Sequence, residues 1–247
     1  MSEDKSLSGK NALVIGGGSG MGAAAALALA RSGAQVVVSG RRQGKLKEIA
    51  EGAPQGALLQ GYAADVSDRG SLTALFEWHD SNFTSLDIFI NAAGINIPNR
   101  TMEDLSPNDW DKVIGINLTG AYDCLRLAIK RMRPRKDGLV VMINSVSGKR
   151  SNPLGGVAYN ASKFGMTALG ACVAEEEREN GIRITNIFPG EVNTPILDQR
   201  PVPPTEEHRA GILQSEDIAA AVLMLAKLDS RAHVPELVIK PTSQSYL

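Results

Sequence analysis

The sequence predicts an α/β fold in which a doubly wound, mostly parallel sheet of seven strands carries helices on both faces. Short runs rich in β-branched residues alternate with longer helical stretches along the 247-residue chain. Two of these runs, residues 12–15 and 36–38, are continuously apolar, which is typical of strands buried on both faces. Such alternation favours a parallel sheet. Because the sequence contains no repeat or low-complexity linker, it predicts a single domain over residues 1–247.

The predicted strands are seven short runs of apolar and β-branched residues. In chain order they are Asn11–Gly16, Gln35–Ser39, Leu58–Val66, Leu86–Asn91, Leu139–Ser145, Arg183–Phe188 and Glu236–Pro241. The longer stretches between them are the predicted helices, namely Met21–Ser32, Lys45–Glu51, Ser71–Trp78, Ser106–Arg133, Ala158–Asn180 and Glu216–Leu228. The proline-rich stretch Pro195–Pro204 breaks the alternation, so we expect a loop or lid there, within a substrate loop over residues 195–215.

Composition and charge exclude several classes of protein. Hydrophobic residues make up 43% of the chain, which is enough for a sizeable core. A net charge of −1 argues against a nucleic-acid-binding surface, which would show a basic excess. No apolar run reaches the roughly 20 residues of a membrane span, and the polar residues 1–6 do not resemble a signal peptide. We therefore expect a cytoplasmic protein with no membrane or nucleic-acid partner.

The cysteines and histidines show no metal-binding pattern. Cys124 and Cys172 lie far apart, and we interpret them as buried thiols in a reducing compartment. The three histidines are scattered without ligand spacing, so the sequence predicts no metal site.

A glycine-rich loop follows the first strand and opens an alanine-rich helix. Its candidate cofactor-binding residues are Gly16, Gly18, Ser19, Gly20, Met21 and Gly22. Glycines permit a tight turn and a close approach of the backbone to a pyrophosphate, which then rests on the helix N-terminus. A flexible turn is the alternative, but the strand before and the helix after the loop favour dinucleotide binding. A P-loop is excluded because no Gly-Lys-Ser/Thr follows the glycines.

Small or polar residues also follow the later strands. Ligands of open α/β sheets bind beyond the carboxyl ends of the strands, so these residues are candidate ligand contacts. They are Asp65, Val66, Asn91, Ala92, Ala93, Gly94, Ser145, Pro189 and Gly190. A plain turn would explain each one alone, and their recurrence favours a ligand site.

Tyr159 and Lys163 form the candidate catalytic pair. Their spacing of four residues places both side chains on one face of a helix, one turn apart. The helix-breaking residues 153–156 put Tyr159 near the helix N-terminus, where the macrodipole favours negative charge. A nearby cation lowers the pKa of a tyrosine from about 10. The pair therefore predicts proton exchange with a substrate hydroxyl or carbonyl, and the alternative is a surface tyrosine beside a solvated lysine.

From about residue 8 to its C-terminus, the chain resembles the short-chain dehydrogenase/reductase family. The matching motifs, in order, are Gly16-x-x-x-Gly20-x-Gly22, Asp65, Asn91-Ala92-Ala93-Gly94, Asn117, Ser145, Tyr159-x-x-x-Lys163, and Pro189-Gly190 followed by Thr194. The resemblance implies a three-layer Rossmann fold and an NAD(P)-dependent oxidoreductase acting on a CH–OH group. It also implies a homodimer or homotetramer, which we expect to form through helices 106–133 and 158–180.

The resemblance assigns roles to four candidate catalytic residues. Tyr159 would be the general acid/base, and Lys163 would lower its pKa and bind the nicotinamide ribose. Ser145 would donate a hydrogen bond to the substrate oxygen. Asn117 would hold a water that links Lys163 to solvent. The implied cofactor contacts further along the chain are Asp65 at the adenine and Val192 and Thr194 at the nicotinamide carboxamide.

Three positions depart from the family pattern. Ile15 stands where a threonine is usual, so we expect changed local bonding with retained cofactor binding. Asn144 stands where a second serine is common. Residues 236–247 lack the usual glycine-rich ending and look more like NADP-dependent enzymes that act on small 3-hydroxy acids such as serine.

The residues after the second strand predict the cofactor. Enzymes that use NAD place an acid there for the adenosine ribose, whereas this chain has Ser39, Gly40, Arg41 and Arg42. Arginines suit the oxygens of a 2′-phosphate, and Ser39 could donate a further hydrogen bond. We therefore predict that NADP(H) is preferred and NAD(H) possible. The alternative is a solvated helix start.

Two other functions stay open, namely an NAD-dependent alcohol dehydrogenase and a catalytically silent regulatory protein of the same fold. The intact set of Asn117, Ser145, Tyr159 and Lys163 argues against the silent protein. The substrate is predicted to be a small alcohol or carbonyl compound. The polar candidates for its pocket are Asn96, Arg150, Asn152, Gln199, Arg200 and Arg209.

Overall fold

A computed structural model describes residues 6–245 and contains a seven-stranded sheet. Its strands are β1 (Asn11–Ile15), β2 (Gln35–Gly40), β3 (Leu59–Ala63), β4 (Ile88–Asn91), β5 (Gly138–Ile143), β6 (Ile182–Pro189) and β7 (Glu236–Ile239). The strand order is β3-β2-β1-β4-β5-β6-β7, and every neighbouring pair is parallel. The predicted doubly wound Rossmann architecture is confirmed.

Eight α-helices of residues 6–245 accompany the sheet. They are α1 (Gly20–Arg31), α2 (Gln43–Glu51), α3 (Arg69–Asn82), α4 (Pro107–Ile114), α5 (Gly120–Met132), α6 (Val157–Glu176), α7 (Glu206–Gly211) and α8 (Ser215–Lys227). Successive side chains of a strand point to opposite faces of the sheet, so apolar strands present residues on both faces that helices can cover. In β1, Ala12 and Val14 join the apolar cluster that contains α1 and α8, whereas Leu13 and Ile15 join the cluster with α3, α5 and α6.

The strand order reverses at β1, which pairs with both β2 and β4. Ile15 is in register with Ser39 of β2 and with Asn91 of β4, so the three carboxyl ends lie level. A crevice at such a reversal is the usual ligand site of an open α/β sheet.

The helix predicted over Ser106–Arg133 is interrupted, which corrects the prediction of one regular helix. Ser106 caps α4 from outside, and a π-helical turn over Gly115–Thr119 separates α4 from α5. The backbone stays right-handed helical at Ile114, Gly115, Thr119 and Gly120. The helical path therefore continues from α4 to α5, and only its hydrogen-bond register changes. Such π-turns occur often at functional sites, and this one carries Asn117.

Two further predictions need correction. The stretch Pro195–Pro204 is partly ordered as a 3₁₀-helix over Pro195–Gln199, with α7 shortly after it. Cys172 is exposed on α6, so only Cys124 is the buried thiol that was predicted. Both cysteines are free.

His79 is a buried base in α3. Its side chain is 1% exposed, stacks on Phe83 at 5.0 Å, and both ring nitrogens have no hydrogen-bond partner among residues 6–245. Burial lowers the pKa of His79 to about 4. The folded state therefore binds this proton less readily than the unfolded state, and stability falls as the pH drops below 6.5.

We expect His79→Leu to flatten part of the pH dependence of unfolding. Above pH 6.5 both states carry a neutral imidazole; between 6.5 and 4 only the unfolded state is protonated, and the wild type loses up to about 3 kcal/mol. Urea denaturation of wild type and variant across this range measures the difference. Carboxylates common to both proteins cancel, and parallel pH curves would contradict the assignment to His79.

Candidate active site

A cleft of about 880 Å³ runs along the carboxyl edge of the sheet. The candidate catalytic and cofactor-binding residues of the sequence analysis line it, with three exceptions. Ser39, Asn91 and Asn117 are buried at its base, each at most 1% exposed. Ser39 lies outside the cleft, contrary to prediction, because both faces of β2 are covered at this level. Its main-chain oxygen accepts hydrogen bonds from the amides of Gly16 (2.8 Å) and Gly17 (3.0 Å).

The glycine-rich loop leaves no room for side chains at two positions. Gly16 has a φ of +78°, and a β-carbon there would lie 2.6 Å from the carbonyl carbon of Ala92. A β-carbon on Gly22 would collide with the main-chain oxygen of Gly16. The loop therefore packs directly on the residues that follow β4. Because its glycines carry no side chains, its backbone can approach a bound ligand closely.

The N-terminus of α1 is left available for an anion. Its N-cap, Ser19, makes no side-chain cap hydrogen bond, and the first turn contains no acidic residue. In contrast, Asp68 caps α3 and Ser106 caps α4 through their side chains. The unsatisfied N–H groups and the positive end of the helix dipole fit a pyrophosphate, so these residues suit a dinucleotide.

The adenosine end of the cleft carries two arginines. Arg41 and Arg42 are exposed and line the cleft just after β2. Asp65 follows β3 across from them. Burial raises the pKa of Asp65, but hydrogen bonds from Ser67 and the charge of Arg41 outweigh this effect and hold the pKa below its ordinary value. Asp65 is therefore an anion at neutral pH, within electrostatic reach of Arg41.

Tyr159 is the third residue of α6, as the helix-breaking residues before it predicted. It is half-buried and hydrogen-bonded to Ser145, which lies two residues beyond β5. The Ser145 hydroxyl oxygen accepts from the amide of Ser147 at 3.1 Å, which fixes the side chain in place. The structure thus brings the predicted serine and tyrosine together across the cleft.

Lys163 is buried one turn further along α6. Its Nζ donates to the main-chain oxygen of Ile143 at 3.2 Å and lies 5.6 Å from the centre of the Tyr159 ring. Burial lowers the pKa of Lys163 to about 7. Burial raises the pKa of Tyr159, and the Ser145 hydrogen bond and the charge of Arg100 only partly offset this. Lys163 thus lies beside Tyr159 as predicted, but burial is the largest influence on the pKa of the phenol in this arrangement.

Asn117 lies in the π-helical turn, and its side chain hydrogen-bonds both to the loop after β4 and to α6. Its amide group donates to the oxygen of Ile95 (2.9 Å) and to Oγ of Ser162 (3.1 Å), and its Oδ1 accepts from the amide of Ile95 (2.8 Å). These contacts set the distance between the loop after β4 and the helix that carries Lys163.

The departures from the family pattern have local explanations. Ile15 is 1% exposed and packs in the core. Asn144 donates to the main-chain oxygen of Lys163 (3.2 Å) and to Oγ1 of Thr167 (2.9 Å), so it ties the end of β5 to α6. Of the residues near the C-terminus, Gln244 and Ser245 line the cleft, and Gln244 Oε1 accepts from the amide of Glu191 at 2.9 Å; residues 246 and 247 lie outside the described residues.

The substrate end contains one residue that sequence reasoning missed. Arg100 is 6% exposed and lines the cleft. Arg200 also lines it but is paired with Glu191, whereas Arg209 pairs with Asp198 outside it. The signal that could have found Arg100 is its position six residues after Gly94, in a loop at the carboxyl end of a strand.

The residues that the structure describes contain neither a candidate metal cluster nor a candidate membrane-spanning helix. Within them, no cluster of three or more His, Cys, Asp or Glu side chains is suited to hold a metal ion. None of the helices in residues 6–245 combines the length and apolar character needed to cross a membrane.

Comparisons with known proteins agree with this geometry. The family model for short chain dehydrogenase matches residues 10–202. Farnesol dehydrogenase of Aedes aegypti is 33% identical over 246 residues, covering 97% of this chain and 98% of its own.

Two solved structures are similar in fold. An alcohol dehydrogenase of Thermococcus sibiricus, complexed with 5-hydroxy-NADP, is 28% identical with a TM-score of 0.86, covering 96% of this chain and 98% of its own. A 3-ketoacyl-(acyl-carrier-protein) reductase of Brucella melitensis, complexed with NADH, is 26% identical with a TM-score of 0.87, again covering 96% and 98%. The chain therefore belongs to the short-chain dehydrogenase family, and it is an oxidoreductase that acts on CH–OH groups with a nicotinamide cofactor.

Proposed function

We propose that this protein is an NADP(H)-dependent oxidoreductase that interconverts a secondary alcohol or hydroxy acid and its carbonyl compound. One observation carries the proposal. Tyr159, Ser145 and Lys163 meet in the same cleft that begins at the uncapped N-terminus of α1. The cleft therefore joins a phosphate-binding end to a proton-transferring end.

When bound, the nicotinamide would supply the hydride for carbonyl reduction and accept it in alcohol oxidation. The protein's residues would handle the proton and the oxygen. Ser145 would donate a hydrogen bond to the substrate oxygen, and Tyr159 would give that oxygen its proton. Burial keeps Tyr159 protonated at neutral pH, which is the form that reduction requires. Lys163, with a pKa of about 7, can return a proton toward Tyr159.

The preference for NADP(H) rests on Arg41 and Arg42. Both are exposed in the cleft after β2, where a 2′-phosphate would lie, and no acid stands in residues 39–42 to repel it. Ser39 contributes only its main chain. Since the two similar solved structures hold an NADP derivative and NADH respectively, the fold itself is compatible with either cofactor, and NAD(H) use is the alternative.

A wild-type assay tests the proposed function. Purified protein is titrated with NADPH and NADH, and oxidation of each cofactor is then followed with a panel of ketones, keto acids and aldehydes. We expect tighter binding of NADPH and turnover of at least one carbonyl compound. Equal or tighter NADH binding would refute the preference, and cofactor binding without any turnover would favour a silent regulatory protein.

We also propose a homodimer or homotetramer in the cytoplasm. Several small or apolar residues of α5 and α6 are not available for an interface. Ala121, Cys124, Leu125 and Ala128 pack in the subunit's own core, and Gly170 packs against Asn186. Support for assembly comes from the residues of these helices that remain exposed. Tyr122 on α5 and Phe164 on α6 are 45% and 43% exposed. Ala168 and Ala171, further along α6 than Phe164, are also exposed.

We expect multi-angle light scattering to give at least twice the monomer mass of 26.2 kDa at micromolar concentration. Tyr122→Asp with Phe164→Asp should shift the mass toward the monomer, since charges are depleted from the cores of such interfaces. Met224 is an exposed apolar residue on α8, and Met224→Asp is therefore the matched control. A monomeric wild type would exclude this assembly.

A further inference from the structure

Arg100 is a buried cation that holds three walls of the cleft together. Its guanidinium donates to the main-chain oxygens of Ile97 (2.7 Å), Leu154 (3.0 Å) and Gln199. These oxygens belong to the loop after β4, the loop before α6 and the 3₁₀-helix after β6. A guanidinium has five N–H groups, so two of them have no acceptor among residues 6–245.

The position of Arg100 relative to Tyr159 is fixed by the backbone. The main-chain oxygen of Arg100 accepts a hydrogen bond from the amide of Val157 at 3.0 Å, at the first residue of α6. Gly156 packs so closely on the Arg100 side chain that a β-carbon there would overlap it. The charge of Arg100 acts on Tyr159, and the two residues line the same cleft. Arg100 is therefore a fixed positive charge beside the proposed proton donor.

No carboxylate among the described residues pairs with Arg100. The charge that acts most strongly on it is that of Arg200, which is itself paired with Glu191. Glu191 also contacts His208 at 2.8 Å, and Asp198 pairs with Arg209. Glu191 and Asp198 are thus already engaged with other cations. Carbonyl oxygens satisfy N–H groups of Arg100 but do not neutralise its charge, and a buried charge is costly without a counter-charge.

We propose that the substrate itself supplies this counter-charge, so that the enzyme acts on a hydroxy acid or keto acid whose carboxylate binds Arg100. The inference rests on the proposed function and selects the acid from its two substrate classes. Arginine presents two parallel N–H groups that suit a carboxylate. The two N–H groups left on the terminal nitrogens would donate to the carboxylate, while Ser145 and Tyr159 contact the oxygen at the reacting carbon. This arrangement orients the substrate at two points.

The test compares substrates that differ only in charge. The probes are 2-oxobutanoate, 3-oxobutanoate and 4-oxopentanoate, each beside its own amide, with NADPH as the reductant. For the best acid, we expect wild-type kcat/KM to exceed that of the amide by roughly 10-fold to 100-fold, the range of a charge-assisted hydrogen bond. Arg100→Gln should reduce this ratio to near one, mainly through a higher KM for the acid.

The ratio of the two substrates isolates binding from other effects of the substitution. Loss of the Arg100 charge also acts on Tyr159, but this effect is common to the acid and the amide and cancels. Arg100→Lys keeps the charge while it loses the bridging geometry, so it should retain part of the preference for the acid. Arg209→Gln is the matched control, because that arginine pairs with Asp198 outside the cleft, and it should keep the wild-type ratio.

The possible outcomes separate the two proposals. Equal kcat/KM for acid and amide in the wild type, or an unchanged ratio in Arg100→Gln, would overturn the carboxylate inference and leave the proposed oxidoreductase function intact. Turnover of neither series by a wild type that binds NADPH, together with failure on neutral ketones, would overturn the proposed function and the inference with it. Equal losses for acid and amide in Arg100→Gln and Arg100→Lys would show a purely structural role, contrary to the inference.

Discussion

Tyr159→Phe is expected to lower kcat by roughly 10²-fold or more, the scale of general acid/base catalysis, while the affinity for NADPH stays unchanged. The substitution removes only the phenolic hydroxyl. Tyr159 is held in α6 by its backbone, and the aromatic ring stays in the cleft. Turnover of a carbonyl substrate that the wild type reduces, measured beside a cofactor titration, separates loss of chemistry from loss of binding.

A matched control is Tyr62→Phe. Tyr62 lies on β3 and packs against Trp78, with ring centres 4.9 Å apart, away from the proton-transferring end. We expect its variant to keep the wild-type kcat. If Tyr159→Phe turned over like the wild type, Tyr159 could not be the proton donor.

The second large effect concerns the cofactor. Gly40→Asp combined with Arg41→Ala should shift the relative affinity from NADPH toward NADH by more than about 10-fold, or about 1.4 kcal/mol. The aspartate would accept hydrogen bonds from the ribose and repel a 2′-phosphate, and the loss of Arg41 removes a phosphate ligand. The new side chain fits, since a β-carbon on Gly40 would lie 3.8 Å from Leu46 Cδ2.

Gly40→Ala is the control for this double variant, because it adds the β-carbon without the charge. We expect it to retain the wild-type ratio of dissociation constants for NADPH and NADH. Titration of both cofactors into wild type, control and double variant measures the shift. An unchanged ratio in the double variant would show that residues 40 and 41 do not determine the preference between NADPH and NADH.

Part of the candidate site could be predicted from local sequence. The glycine spacing at residues 16–22 and the spacing of Tyr159 and Lys163 each follow from one element and its periodicity. The contributions of Arg100 and Asn144 could not be predicted in this way. Each acts on groups distant in the chain, as Arg100 does on Leu154 and Gln199, and such contacts exist only once the loops meet.

The direction of the Tyr159 pKa shows the same limit. Sequence spacing placed a cation near the phenol but carried no information on how deeply either group would be buried. Burial lowers the pKa of Lys163 to about 7 and raises that of Tyr159. Desolvation depends on all the atoms around a group, and these come from several segments of the chain.

The sequence by itself determined the alternation of strands and helices, the family and the order of the motifs, because these depend on local periodicity and on residue types at short spacing. Only the tertiary structure decided which of these residues face the cleft. It buried Ser39 beneath the glycine-rich loop, turned Asn117 inward from a π-turn and set Arg100 beside Tyr159 without a carboxylate partner among residues 6–245. The physical reason is that burial, hydrogen-bond partners and charge pairing are properties of segments packed together, which no single stretch of the chain contains.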